Sequence, residues 1–405
     1  MTTNKKKIFV TQTMSPRARA LLTERDDIEL VEFPNLISAK DFEAMLKQHA
    51  PVHGVALGAT RFGEPELEAC RDMKVVTRIG VGYDAVDVPA LSRRKVPLMV
   101  AGTANSPSVA EQALFMMLML AKRATEMHEM VMNGTWASRL SQLPFDLYGK
   151  TLLIVGFGRI GTRTAKRCLA MEMRVLVYDP YKQAAEIVSA GCETVADLDA
   201  ALPRADFVSI HCPKTPETVG MFNAARLKLM KPTAYLINTA RGGIVDEKAL
   251  HEALLKRRLA GAGLDVFEQE PPPVGEALHS LPNVILAPHV AGVTVEAVDR
   301  MSEQTALNIL SALDGAPIRQ NVINRTFSRV RHQRYHARNQ TLSRHRRVVR
   351  RARVTPRVTL SWTARVNPYR RPPIASASRA MLNVVRRIER APTYSREQLR
   401  TTLKR

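Results

Sequence analysis

The feature that most constrains the fold is a regular alternation of strand-like and helix-like segments between residues 7 and 325. "KIFVTQTM" (7–14) is typical of a buried strand, and Ser15 and Pro16 then offer an N-cap and a first-turn proline for a helix. "IELVEF" (28–33) and "SAKDFEAMLKQH" (38–49) repeat the pattern. Strands separated by helices of this length pair in parallel and carry helices on both faces. The sequence therefore predicts an α/β fold built on parallel sheets.

A long apolar segment divides this alternation into two series. The segment "NSPSVAEQALFMMLMLAKR" (105–123) is apolar on nearly all sides, which predicts a helix buried in a large core or between subunits. A second strand–helix series follows it and ends in a helical pattern over 296–315. At about 100–200 residues per domain, 325 residues predict two domains.

The net positive charge of the chain comes almost entirely from its last eighty residues. The formal net charge is +22, and residues 326–405 contribute +20 of it, with 22 basic residues against two acids. The stretch "HRRVVRRARV" (345–354) is typical of this segment. The remaining residues carry only +2, so the basic character does not describe the α/β part and its function has to be argued separately.

The basic segment, residues 326–405, is predicted to be disordered or irregular because its charge is too high for a packed core. Three interpretations stay open. A basic amphipathic helix over 376–390 would suit an anionic surface, and an arginine-rich arm would suit nucleic acid. We favour the third, a coding artefact beginning near Asn324. His332 and His336 are treated as a chance pairing rather than a metal site.

Other classes of protein are disfavoured. The most apolar run, "ALFMMLMLA" (113–121), is far shorter than the roughly 20 residues of a membrane span, and no signal peptide precedes the first strand. Cys70, Cys168, Cys192 and Cys212 have no metal-ligand spacing. We therefore expect reduced thiols in a cytoplasmic protein and no metal site.

A glycine-rich turn marks a candidate dinucleotide site. "TLLIVGFGRIG" places Gly156, Gly158 and Gly161 between a strand and a helix, where they permit a tight turn, close approach of a pyrophosphate and close packing of the helix. Asp179 ends the next strand, 18 residues beyond Gly161. A carboxylate there accepts ribose hydroxyls and repels a 2′-phosphate, which favours NAD over NADP. The alternative for Asp179 is a surface acid at a strand end.

Three polar side chains follow later strands of the second series. Arg241 lies in "NTARGG", Glu270 in "DVFEQEP" and His289 in "APHVAG". Singly, each also suits a structural or surface role. Together they form a set for hydride transfer to a 2-keto acid: Arg241 binds the carboxylate, His289 donates the proton, and a buried Glu270 keeps His289 charged.

The sequence resembles the D-isomer-specific 2-hydroxyacid dehydrogenases, in particular their D-3-phosphoglycerate dehydrogenase-like branch. The resemblance covers about residues 7–325. It depends on seven ordered motifs, "RIGVGYDAVD", "NSPSVAEQALFMML", "GKTLLIVGFGRIG", "HCPKTPET", "NTARGGIVDEKAL", "GAGLDVFEQEP" and "PHVAG".

The resemblance implies a fold and a set of site residues. A Rossmann NAD-binding domain (103–293) would be inserted into a flavodoxin-like substrate domain (1–102 and 294–325), both with doubly wound parallel sheets, and two chains would dimerise through the NAD-binding domain. Arg241, Glu270 and His289 would be catalytic. Beyond the glycines and Asp179, the implied cofactor-binding residues are Val81, Arg159, Ile160, Cys212, Pro213, Thr239, Ala240, Asp265 and Gly292. The implied substrate-binding residues are Val81, Gly82, Arg241 and His289.

Departures from the family pattern leave the substrate open. "ALGATRFG" (56–63) stands where phosphoglycerate-specific members carry closely spaced arginines, and Lys214 and Ala85 replace the usual leucine and asparagine. We therefore expect a glyoxylate- or hydroxypyruvate-type acid, with D-3-phosphoglycerate dehydrogenase as the alternative. A non-catalytic, NAD-sensing corepressor-like protein is the alternative of a different class.

Overall fold

The computed structural model describes residues 5–325, which build two parallel sheets. The first has the strand order β2-β1-β3-β4-β5, which is the flavodoxin-like order. Its strands are β1 (Lys6–Thr11), β2 (Ile28–Phe33), β3 (Gly54–Leu57), β4 (Val75–Arg78) and β5 (Leu98–Met99). The helices of this region are α1 (Pro16–Thr23), α2 (Ala39–Gln48), α3 (Glu64–Ala69) and α4 (Val88–Arg93).

The second sheet has the order β12-β11-β10-β9-β6-β7-β8, a Rossmann order extended by one strand. Its strands are β6 (Thr151–Val155), β7 (Arg174–Tyr178), β8 (Glu193–Thr194), β9 (Phe207–Ile210), β10 (Tyr235–Asn238), β11 (Gly261–Leu264) and β12 (Val284–Leu286). The remaining helices are α5 (Ser106–Lys122), α6 (Ala124–Met132), α7 (Gly161–Ala170), α8 (Ala184–Ser189), α9 (Leu198–Ala201), α10 (Ala224–Leu229), α11 (Glu247–Leu255) and α12 (Val295–Leu313). The predicted doubly wound α/β class is confirmed.

Local sequence signals place the first helices as expected. The Ser15 hydroxyl accepts a hydrogen bond from the amide of Ala18, with Pro16 at the first helical position of α1. Ser38 caps α2 in the same way. These caps begin each helix directly after its strand and so keep the strand–helix connections short.

The chain passes between the two sheets twice. Helix α5 leaves β5 and packs against α7, β10 and β11, whereas α12 returns and packs against α1 and β4. The return is anchored by buried polar groups: Asn308 donates to the carbonyl of Val100 at 2.9 Å, and Thr305 donates to that of Arg78 at 3.1 Å. The passages lie near the ends of the predicted domains, whose exact limits stay a prediction.

Helix α5 is buried on one face only. Ala113, Met116 and Met117 are fully buried against the second sheet, but Phe115 is 49% exposed. The next helix, α6, has no buried residue. The predicted burial in a core thus holds for the face of α5 that contacts the sheet, and burial of the other face between subunits stays a prediction.

Two further observations bear on the class of protein. No helix within residues 5–325 is both long and apolar enough to cross a membrane. All four cysteines are free thiols, and three of them, Cys70, Cys168 and Cys192, are buried. The predictions for residues 326–405, including those for His332 and His336, lie outside the described residues.

Candidate active site

The glycine turn after β6 has the geometry that a dinucleotide requires. Gly156 has φ +98°, and a Cβ there would lie 2.6 Å from the amide nitrogen of Cys212. A Cβ on Gly161 would collide with the carbonyl oxygen of Gly156, so α7 packs closely against the turn. Above Gly158 a Cβ would meet nothing within 4 Å. The amino end of α7 is therefore open to an anion at Gly158.

Asp179 braces this turn. Its Oδ2 accepts the amide of Phe157 at 2.7 Å and its Oδ1 accepts that of Tyr181 at 2.9 Å. Each carboxylate oxygen has a second acceptor site, so Asp179 can still accept hydroxyl groups. The carboxylate thus has a structural role as well as the position expected for a ribose ligand.

His289 and Glu270 are brought together at the carboxyl edge of the second sheet. Nδ1 of His289 lies 2.7 Å from Oε2 of Glu270, and Oε1 of Glu270 accepts the amide of Phe267 at 3.1 Å. His289 has φ +53°, a left-handed conformation that a histidine adopts at some cost. The surrounding loop therefore holds His289 in a backbone conformation that the residue itself disfavours, and so directs its ring toward Glu270.

Asp265 fixes that loop from below. It is 1% exposed, and its two oxygens accept the amides of Val290 and Ala291, each at 2.9 Å. Burial raises the pKa of Asp265, while the two backbone donors lower it in part. Asp265 thus anchors the segment that carries His289.

The predicted burial of Glu270 is wrong. The side chains of Glu270 and His289 are 36% and 46% exposed, respectively. The physical reason is that both follow strand ends, at the open edge of the sheet rather than in its core. The charge of Glu270 is consequently supported by its hydrogen bonds and by solvent.

Arg241 reaches the loop that follows β4 in the first sheet. Its Nε lies 3.2 Å from Oδ2 of Asp84, and its Nη1 donates to the carbonyl of Ala240 at 2.7 Å. A Cβ on Gly82 would collide with Nη2 of Arg241. The structure thus joins Arg241 to Gly82, one of the residues implied to bind substrate.

Three buried polar atoms beside the sheet edge lack partners within residues 5–325, namely the hydroxyl of Thr239, Oδ1 of Asn105 and Nδ1 of His211. Asn105 lies against Gly292, where a Cβ would come within 2.5 Å of its Nδ2. Orphaned polar groups of this kind call for a ligand or a water molecule. Together with the open end of α7, they fit a polar cofactor along this edge.

Other implied cofactor residues lie near the same turn. Arg159 donates to the carbonyl of Gly102 at 3.0 Å, close to the first passage between the sheets. Ile160 precedes the first residue of α7. Cys212 follows β9 and is half-buried, and burial raises the pKa of its thiol to about 11, so it is a neutral packing group at neutral pH.

Sequence reasoning missed two charged residues of the site, Asp84 and Arg78. Asp84 contacts Arg241, and Nε of Arg78 donates to the carbonyl of Gly82 at 3.0 Å. Both belong to the stretch "RIGVGYD". The available signal was a pair of charged residues separated by five residues, two of them glycine, at the end of a buried strand.

Comparisons with known proteins agree with this geometry. Residues 114–291 match the family model of the D-isomer specific 2-hydroxyacid dehydrogenase, NAD binding domain. The chain is 35% identical over 330 residues to a glyoxylate reductase of Korarchaeum cryptofilum, covering 81% of this chain and 98% of the relative. It also resembles a solved D-lactate dehydrogenase of Aquifex aeolicus, complexed with NAD and lactic acid, with a TM-score of 0.67 and 29% identity over 78% of this chain and 99% of that one.

A third relative is longer than this chain. The D-3-phosphoglycerate dehydrogenase of Synechocystis sp. is 40% identical over 265 residues, which are 65% of this chain. The chain spans about half the length of that relative, 47%. With a sequence match over nearly all of the glyoxylate reductase, the chain belongs to the D-isomer-specific 2-hydroxyacid dehydrogenase family and carries its NAD-binding domain.

Proposed function

We propose that this protein is an NAD-dependent D-2-hydroxyacid dehydrogenase that acts on a small acid of the glyoxylate or hydroxypyruvate type. The observation that carries the proposal is the pairing of His289 with Glu270, 2.7 Å apart, at the sheet edge that also holds the glycine turn. An acid/base group beside a cofactor edge is what carbonyl reduction requires. NADH, when bound, supplies the hydride.

The other roles in substrate binding and proton transfer fall to different residues. Arg241 and the amides of Val81 and Gly82 would bind the substrate carboxylate. Glu270 occupies the Nδ1 side of His289, so Nε2 is the atom left to give a proton to the carbonyl oxygen as hydride reaches the carbon. In the oxidative direction Nε2 takes that proton back. Glu270 stabilises the charged ring in both directions.

Different residues along the sheet edge would bind different parts of the cofactor. Gly156, Gly158, Arg159, Ile160 and Gly161 would hold the pyrophosphate, with Asp179, Cys212 and Pro213 on the adenosine side. Val81, Thr239, Ala240, Asp265 and Gly292 would surround the nicotinamide. The open end of α7 and the orphaned hydroxyl of Thr239 support this assignment.

The substrate assignment is supported by the match to glyoxylate reductases over almost their whole length. D-3-phosphoglycerate dehydrogenase remains the second candidate because of the 40% identity to one such enzyme. Against it, the loop after β3 offers only Arg61, an exposed side chain, where the phosphate-binding arginines would stand.

The test is turnover of NADH with glyoxylate, hydroxypyruvate, pyruvate, phenylpyruvate and 3-phosphohydroxypyruvate. We expect the highest kcat/KM with one of the first two. A preference for 3-phosphohydroxypyruvate would favour the second candidate. NADH binding without turnover of any of the five would favour the non-catalytic, NAD-sensing alternative.

The assembly and the compartment are part of the proposal. We propose a homodimer in which a second copy covers exposed apolar side chains on and after α5 and α6. These include Phe115, Val131, Met132, Trp136 and Leu140, which are 49–70% exposed. Sedimentation of the wild type and of a Trp136→Ser variant tests the dimer, which should dissociate more readily in the variant.

For the compartment we propose a reducing cytoplasm, which suits the four free thiols.

A further inference from the structure

Arg78 lies beneath the loop that joins β4 to the candidate substrate site. It is the last residue of β4, and its own carbonyl accepts the hydroxyl of Thr305 on α12. Its side chain turns toward the loop and donates from Nε to the carbonyl of Gly82 at 3.0 Å. The backbone of Arg78 is thus fixed by the sheet and by α12, while its guanidinium supports residues 79–84.

The charge of Arg78 is poorly compensated. Its Nη1 is buried and has no hydrogen-bond partner within residues 5–325. Burial and, to a smaller extent, the charge of Arg241 lower the pKa of Arg78 to about 10, and the charge of Asp84 opposes them. Burying a cation with an unsatisfied donor costs folding free energy. Stability alone therefore does not explain an arginine at this position.

Within residues 5–325, the loop above Arg78 presents several unpaired amides, among them those of Val81 and Gly82. The carbonyl of Gly80 accepts the amide of Ala101 at 2.8 Å, and that of Tyr83 accepts the amide of Val86 at 2.9 Å. Between them, the carbonyl of Gly82 is held by Arg78. Within the described part of the chain, the amides of Val81 and Gly82 have no hydrogen-bond partner. The three carbonyl contacts therefore fix a turn whose donors are left for an anion.

Arg241 approaches the same turn from the second sheet. Its Nη2 lies so close to Gly82 that a side chain at position 82 would have to displace the guanidinium. Because Arg78 holds the carbonyl of Gly82, it also sets where Arg241 can lie. A displaced turn would move both the free amides and the guanidinium relative to a bound carboxylate.

We propose that Arg78 is a positioning residue for carboxylate binding: it holds the 79–84 turn so that the Val81 and Gly82 amides and Arg241 converge on one anion. The inference depends on the proposed function, because the anion is the carboxylate of the 2-keto acid. Arg78 itself acts through the turn, because its Nε donates to the carbonyl of Gly82 and its Nη1 is enclosed.

The test compares Arg78→Met with wild type in the full-length chain. Oxamate, a carboxylate isosteric with a small 2-keto acid, is titrated into the NADH complex. We expect the Kd of oxamate and the KM of the 2-keto acid to rise about tenfold or more, the loss expected when positioned groups are displaced. The Kd of NADH should stay within about twofold, and Tm should be unchanged or higher because an unsatisfied buried ion is removed.

Two further variants sharpen the result. Arg71→Met removes an exposed cation before β4 and should leave all four measurements at wild-type values. Arg78→Lys keeps the charge but not the guanidinium geometry, and it should restore only part of the oxamate affinity. If Arg78→Met does not fold, the oxamate affinity of Arg78→Lys still tests the role of the guanidinium.

The outcomes separate this inference from the proposed function. A wild type without turnover of any 2-keto acid would overturn the proposed function. An active wild type whose Arg78→Met variant binds oxamate normally, or loses Tm and NADH affinity together, would overturn the role of Arg78 alone. Complete recovery by Arg78→Lys would reduce the role to charge and would equally overturn positioning.

Discussion

The two oxygens of Glu270 have different partners: Oε2 lies 2.7 Å from Nδ1 of His289, and Oε1 accepts the backbone amide of Phe267 at 3.1 Å. The contact with Phe267 therefore fixes the carboxylate within its own loop, independently of its contact with the imidazole. Such an arrangement selects the tautomer with a proton on Nδ1 when the ring is neutral. It leaves Nε2 directed away from the carboxylate, which is the arrangement that the proposed proton transfer requires.

The first prediction concerns this pair. His289→Gln should fold and bind NADH but lose roughly 10²–10⁴-fold in kcat, the usual contribution of a positioned acid/base. Glu270→Gln keeps the contact with Phe267 but not the negative charge, so its loss in kcat should be smaller. Steady-state kinetics at saturating NADH measure both values.

A matched control for these variants is His251→Gln on α11, which lies outside the candidate site. It should retain wild-type kcat and KM. Near-normal turnover in His289→Gln would contradict the assignment of His289. A loss in Glu270→Gln larger than in His289→Gln would show that Glu270 has a role beyond its contact with the ring.

Much of the fold was predictable because its signals are local. Gly156, Gly161 and Asp179 occur at fixed spacing around one strand–helix–strand unit, and their backbone geometry follows from that spacing. Ser15 and Ser38 cap their helices through contacts three residues away. Such interactions need no knowledge of how distant segments meet.

The remainder of the site depends on distant contacts. Asp84 and Arg241 are 157 residues apart in sequence and meet only because the chain passes between the sheets twice. The exposure of Glu270 was likewise hidden, since a strand-end carboxylate has the same sequence signal at an open edge as in a closed pocket. What covers the exposed face of α5 likewise stays a prediction, because apolar periodicity does not say whether a second copy of the chain packs there.

The second prediction concerns cofactor choice. Asp179→Ser should weaken NAD binding and improve the relative use of NADP, because it removes both a ribose acceptor and the repulsion of a 2′-phosphate. Asp179→Asn is the matched variant, since it keeps an acceptor oxygen for Phe157 but loses the charge. Its NADP:NAD ratio of kcat/KM should also rise. A wild type that already prefers NADP would contradict the interpretation of Asp179.

The third prediction concerns stability in acid. His211 is partly exposed as a residue, but its Nδ1 is buried, and Nε2 lies 2.9 Å from the hydroxyl of Ser209. Burial lowers the pKa of His211 to about 3. Below its unfolded pKa, near 6.5, the unfolded chain binds a proton that the folded chain does not. The free energy of unfolding should therefore fall as pH decreases from about 6.5 toward 3, by at most about 2 kcal/mol at pH 5.

Denaturant unfolding at a series of pH values checks this slope. In His211→Gln the decrease between pH 6.5 and 5 should be shallower than in wild type, because the titrating group is gone. His251→Gln, on α11 and away from the proposed dimer interface, should keep the wild-type slope. Identical slopes in wild type and His211→Gln would show that the histidine is protonated in the folded chain.

The last prediction concerns the basic segment. A chain ending at Arg325 should keep its dehydrogenase activity within about twofold, because every candidate site residue lies before that point. Residues 5–325 already complete both sheets, and Val322 forms a β-bridge with Met99 of β5. Any binding of nucleic acid or anionic lipid by the full chain should disappear with the +20 charge of residues 326–405, and before truncation it should weaken steeply with salt. Filter binding at several salt concentrations and turnover of both chains measure these outcomes. Loss of folding or turnover in the shorter chain would contradict the interpretation of the segment as a coding artefact.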